Sequence, residues 1–176
     1  MIDVAANPPD AAEVALNKFG NDILRLAYSY LKTREDAEDV VQDTLIKFMQ
    51  AGGKYETEEK MKSWLLQVAA NLCRDLLKSA ARKKQVALPE DYDPPAEESS
   101  GGGTPDPDNE VMEAVMSLPE KYRSVIHLYY MEEYSIKEIA EILEKRESTV
   151  KSLLKRGRER LAKKLEEGDG GYAGRI

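Results

Sequence analysis

A chain of 176 residues, 41% hydrophobic and 34% charged, has room for one domain or two small ones. Its one Cys excludes an internal disulfide, and one Cys with one His cannot assemble a His/Cys zinc site, so no metal and no cofactor is expected. No apolar run approaches the roughly 20 residues of a bilayer span, and the start, MIDVAANPPDAAEV, lacks the basic-then-apolar pattern of a secretion signal; the expectation is a soluble cytoplasmic protein with no membrane insertion.

The net charge of −7 is unevenly spread. Residues 1–50 are acidic, 51–90 mildly basic, 91–110 carry seven acidic groups and no basic one, and 136–167 carry ten Lys or Arg against seven Asp or Glu. A pattern of this kind speaks to partners more than to fold.

In chain order, FGNDILRLAYSYLKT predicts a helix with Ile23, Leu24, Ala27, Tyr30 and Leu31 as its apolar stripe. A second helix begins at TRED, with Thr33 as N-cap and Asp36 in the manner of a capping box. Its stripe is Ala37, Val40, Val41, Leu45 and Phe48, and Gly52-Gly53 end it. A third runs through KMKSWLLQVAANLCRDLLKSAARKK, with Trp64, Leu65, Val68, Leu72 and Leu76 as its buried face.

Composition then changes. LPEDYDPPAEESSGGGTPDPDNE has five prolines, three consecutive glycines and the acidic run, too little apolar surface to offset ordering the backbone. It reads as a flexible linker. Gly101 to Gly103 follow no strand and precede no Gly-Lys-Ser/Thr, so they make no phosphate-cradling loop.

Beyond it, NEVMEAVMSL and PEKYRSVIHLYYME predict two helices, the second with Pro119 in its first turn and Tyr122, Val125, Ile126, Tyr129 and Tyr130 on its apolar side. SIKEIAEILEKRESTVKSLLKRGRERLAKKL fits a helix-turn-helix. Ala140 permits the close approach, Ile139, Leu143, Val150 and Leu153 share its core, and Glu144 holds the turn position where Gly is usual. Helical geometry then turns Lys151, Ser152, Lys155, Arg156 and Arg158 toward solvent or its edge. Such side chains read base edges or neutralise phosphates. The helix's amino end, at Ser148 and Thr149, offers N–H groups to a phosphate.

The fold class expected is all-α: helical domains at 1–87 and 110–167, the linker at 88–109 and a disordered tail at 168–176.

LPEKYRSVIHLYYMEEYSIKEIAEILEKRESTVKSLLKRGRERL closely resembles region four of bacterial RNA polymerase sigma factors of the extracytoplasmic-function (ECF) type. LRLAYSYLKTREDAEDVVQDTLIKFM and SWLLQVAANLCRDLL resemble their region two. The resemblance implies a promoter-recognition subunit that performs no chemistry. It also implies its partners: RNA polymerase core (the coiled coil of the largest subunit and the flap of the second), double-stranded promoter DNA, the unwound minus-ten strand and an anti-sigma factor.

Carried over position by position, Glu38, Asp39, Gln42 and Asp43 would dock on polymerase. Lys151, Ser152, Lys155 and Arg156 would meet the minus-thirty-five element, while Leu153 stands where the family usually carries Arg. The loop with Lys54 and Tyr55, and the helix with Asn71, Arg74 and Lys78, would handle the minus-ten element. Two alternatives stay open: a stand-alone helix-turn-helix regulator and a helical protein-interaction adaptor.

Overall fold

The computed structural model describes residues 8–53, 55–83 and 107–169, within which every regular element is helical. Three helices form a first unit: α1 (Pro8–Leu31), α2 (Arg34–Gln50) and α3 (Glu58–Lys83). The second unit holds α4 (Pro107–Met116), α5 (Glu120–Ile126), a π-helical turn (His127–Met131), α6 (Ile136–Leu143) and α7 (Glu147–Asp169). Most of the expected linker, the tail beyond Asp169 and Lys54 lie outside the described residues.

The first unit packs on Ile23, Leu26, Ala27 and Tyr30 of α1 against Ala37, Val40 and Phe48 of α2, all at most 1% exposed. Helix α1 starts well before the stretch expected to be helical, with Pro8 at its first position, where a missing N–H leaves no hydrogen bond unmade. Thr33 stands at the N-cap of α2 (φ −119°, ψ 139°) without capping it. Its Oγ1 donates instead to Asp36 Oδ2 at 2.6 Å, so the expected capping box does not form. Gly52 (φ 90°) and Gly53 (φ 62°) stop α2 in a conformation that costs a side-chain-bearing residue more.

Helix α3 is rotated from expectation. Its buried face is Met61, Leu65, Leu66, Ala69, Ala70 and Cys73, while Leu76 is 45% exposed and Trp64 only half-buried. Small residues on that face let neighbouring helices approach closely, and burial pushes the Cys73 thiol pKa well up, leaving it a core residue.

In the second unit α4 begins inside the expected linker, and α7 runs two residues into the expected tail. Pro119 lies one position outside α5, as its N-cap. Tyr122, Val125, Ile126 and Leu128 are buried, but Tyr130, expected on the apolar side, is 52% exposed: the π-helical turn widens the helix there and shifts its register. Gly157 passes Ile126 so closely that a Cβ would lie 3.1 Å from its Cδ1.

The two units share one apolar core, α5 lying on α1 and α6 on α3. Arg123 of α5 is fully buried between them. Its guanidinium donates to Leu118 O (2.7 Å) in its own unit, and to Tyr30 O (2.8 Å) and Ser29 O at the end of α1. A buried cation is tolerable only when its donors are used in this way.

Candidate nucleic-acid and polymerase interfaces

Helix α6 is started by a complete capping box: Glu138 N donates to Ser135 Oγ at 3.2 Å, and Ser135 N to Glu138 Oε2 at 2.8 Å. That backbone N–H, with the serine side chain, holds the Glu138 carboxyl below its ordinary pKa. The helix ends at Glu144, whose φ 53° and ψ 43° are left-handed, the conformation for which Gly is usual at this turn. Lys145 N donates to Ala140 O at 2.9 Å and closes the turn. Ile139, Ala140 and Leu143 then meet Val150 and Leu154 in the core, with Leu153 only partly buried.

This packing fixes what α7 presents. Ser148, Thr149, Lys151, Ser152, Lys155, Arg156 and Arg158 are all exposed, along more than two turns of one helix. Ser148 and Thr149 lie in the first turn, where N–H groups point along the axis. Ser152 Oγ donates back to Ser148 O at 3.0 Å. Arg158 differs from the others: its guanidinium carbon sits 5.5 Å from the ring centres of both Tyr129 and Tyr130. That cation–π contact ties α7 to the π-helical turn and holds the side chain in one place.

On α2, Glu38, Asp39, Gln42 and Asp43 are exposed on the side opposite Val40 and Thr44. Glu38 accepts from Arg34 Nε at 2.8 Å. Beside Glu38 and Gln42 runs a groove of about 480 Å³ between α1 and α2, floored by Leu16, Leu24, Val41 and Leu45. The acidic face therefore borders apolar surface, which the sequence stripe did not reveal because Leu16 precedes the stretch read as helix.

The third group divides. Tyr55 stacks on Phe48 (5.6 Å between ring centres, 13° between planes) and lies 5.5 Å from Trp64; burial raises its hydroxyl pKa to about 12. Lys78 is exposed. Asn71 and Arg74 come together, Arg74 Nη2 donating to Asn71 Oδ1, but both also reach α6 and the turn after it. Among the described residues no group of three or more His, Cys, Asp or Glu is placed to hold a metal ion, and no helix is long and apolar enough to cross a membrane.

Two helical units, one ending in a helix-turn-helix with a basic outer face and the other carrying an acidic helix face, define the architecture of a sigma factor. The family models agree: sigma-70 region 2 matches residues 16–83, and sigma-70 region 4 matches residues 108–161. The chain is 30% identical over 172 residues to the ECF RNA polymerase sigma factor SigW of Bacillus subtilis, covering 90% of each. It is 33% identical over 164 residues to the ECF RNA polymerase sigma factor SigM of Mycobacterium tuberculosis, covering 88% of this chain and 82% of the relative. The fold is similar to that of the sigma factor RpoE solved with the anti-sigma factor NepR from Bartonella quintana (TM-score 0.66, 24% identity, 88% of this chain and 96% of that one). The chain belongs to the ECF family of RNA polymerase sigma factors, which bind RNA polymerase and direct transcription initiation at promoters.

Proposed function

We propose that α2 docks this sigma factor on core polymerase through Glu38, Asp39, Gln42 and Asp43, and that α7 meets the minus-thirty-five element with Ser148, Thr149, Lys151, Ser152, Lys155 and Arg156. Arg158 serves this face indirectly, through its tyrosine contacts, and reaches phosphate at the edge. Lys54, Asn71, Arg74 and Lys78 meet the opened minus-ten strand, Tyr55 supporting that surface from within its aromatic cluster. The second unit meets the flap of the second polymerase subunit. The protein takes no catalytic part and works in the cytoplasm, where polymerase and promoters are.

The observation that supports this reading most is the separation of charge: an acidic, exposed face on α2, and basic exposed side chains on α7 behind a left-handed turn. An anti-sigma partner is part of the proposal. A cleft of about 770 Å³ between α1, α4 and the π-helical turn, lined by Leu24, Tyr28, Met112, Met116 and Met131, offers it apolar surface. Gel filtration with bacterial core polymerase tests the docking: the wild-type chain co-elutes with the enzyme, and Asp39→Lys with Gln42→Ala does not. Equal co-elution of both would remove α2 from the interface.

A further inference from the structure

Two of the residues assigned to the minus-ten strand, Asn71 and Arg74, are already engaged, and so is Gln67 on the same helix. Asn71 Nδ2 donates to Glu144 Oε2 at 3.1 Å, Arg74 Nη1 to Leu143 O at 3.2 Å, and Gln67 Nε2 to Glu141 O at 3.4 Å. All three acceptors lie at the end of α6 or in the turn behind it, so the turn that sets the angle of α7 also covers a face of α3. A donor aimed at a protein oxygen is not available to a nucleotide, and a carboxylate beside Asn71 and Arg74 stands where a phosphate would be held and repels another anion.

Two further joints hold the units in this arrangement. Arg123 ties α5 to the last carbonyls of α1. Arg25 of α1 grips Glu132 with two bonds, Nε to Oε1 at 2.6 Å and Nη2 to Oε2 at 3.1 Å. Three joints spread over α1 and α3 fix the orientation of the second unit.

We infer that Glu144 and the terminal carbonyls of α6 act as an internal stand-in for nucleic acid on α3, so that the free chain is self-blocked and its two units must part before α3 takes the opened strand. This rests on the role proposed above for α3. Because a ligand binds in proportion to the fraction of competent protein, loosening the joints raises apparent affinity and locking them lowers it.

The test uses the full chain in two forms. In the loosened form, Glu144→Gly removes the carboxylate while suiting the left-handed turn, and Glu132→Gln weakens the grip of Arg25; neither residue belongs to the DNA or polymerase surfaces. Small-angle scattering should show a larger radius of gyration than wild type, and initiation at limiting amounts of the chain should rise about three- to ten-fold. In the locked form, Gln67→Cys and Glu141→Cys are joined by a reducible bismaleimide. Initiation should fall at least about ten-fold and return on reduction. An unchanged radius in the loosened form, or full initiation by the locked chain, overturns the inference. If the unlocked wild-type chain supports no initiation with core polymerase, the assigned role of α3 fails instead, and the scattering result still decides whether the joints hold the units together.

Discussion

Arg123 donates from Nη2 to Tyr30 O at 2.8 Å, placing a fully buried guanidinium of the second unit on the last turn of α1 in the first. The same side chain holds Leu118 O at 2.7 Å, so it also closes the approach to α5. Replacing it with Met keeps apolar volume but leaves these carbonyls without a donor. Leaving a buried acceptor unsatisfied costs about 1–3 kcal/mol. Urea denaturation of Arg123→Met should show a loss of that size; a loss under about 1 kcal/mol would contradict the burial argument.

Glu144 at φ 53° predicts an order of stability. Left-handed backbone costs an ordinary residue about 1–2 kcal/mol and glycine little. Thermal unfolding should therefore rank Glu144→Gly above wild type and Glu144→Val below both. A valine variant as stable as wild type would mean that the turn relaxes to another conformation.

Glu132 predicts the acid limb of stability. The facing His127 ring and the hydrogen bonds of Arg25 hold its pKa down to about 2 against an ordinary 4.5, although partial burial opposes this. His127 Nε2 lies 3.4 Å from Oε1, a long contact, so the Arg25 bonds at 2.6 and 3.1 Å are the firmer geometric support. A depressed folded pKa contributes stability that is present above pH 4.5 and is lost as pH falls toward 2. Glu132→Gln should flatten part of the decline between those values; a wild-type and variant pair that lose stability in parallel would remove Glu132 as a cause.

The outer face of α7 predicts salt-dependent binding. Each Lys or Arg that neutralises a phosphate adds about 0.9 to the slope of log affinity against log salt. Lys155→Ala with Arg156→Ala should weaken promoter binding by the polymerase complex and lower that slope by about 1–2. Unchanged promoter output would remove these two side chains from the DNA interface.

Most of this architecture is legible in the sequence wherever one face of a helix is buried and the other is wet. Ala37, Val40 and Phe48 mark α2, and Ala140, Leu143 and Val150 mark the helix-turn-helix, because each packs on one side only. Helix α3 is harder to read. It packs against the first unit and against α6, so the large residues Trp64 and Leu76 are a poorer guide than Ala69, Ala70 and Cys73. The exposed faces of α2 and α7 follow from periodicity, but the engagement of Asn71 and Arg74 depends on contacts some 70 residues away, which no local pattern encodes. Arg123 is harder still: a charge inside YRSVIHL reads as a solvated residue until the carbonyls of α1 are placed around it.

In the proposed division of labour, an acidic helix face docks on polymerase while a basic one directs it to promoters. Transcription by bacterial core polymerase on genomic DNA, with start sites mapped with and without the purified chain, tests it most directly. A discrete set of new starts with a shared sequence near minus thirty-five should appear, and be lost with Lys155→Ala and Arg156→Ala. An unchanged set of starts, with the chain present in excess over the enzyme, would contradict it.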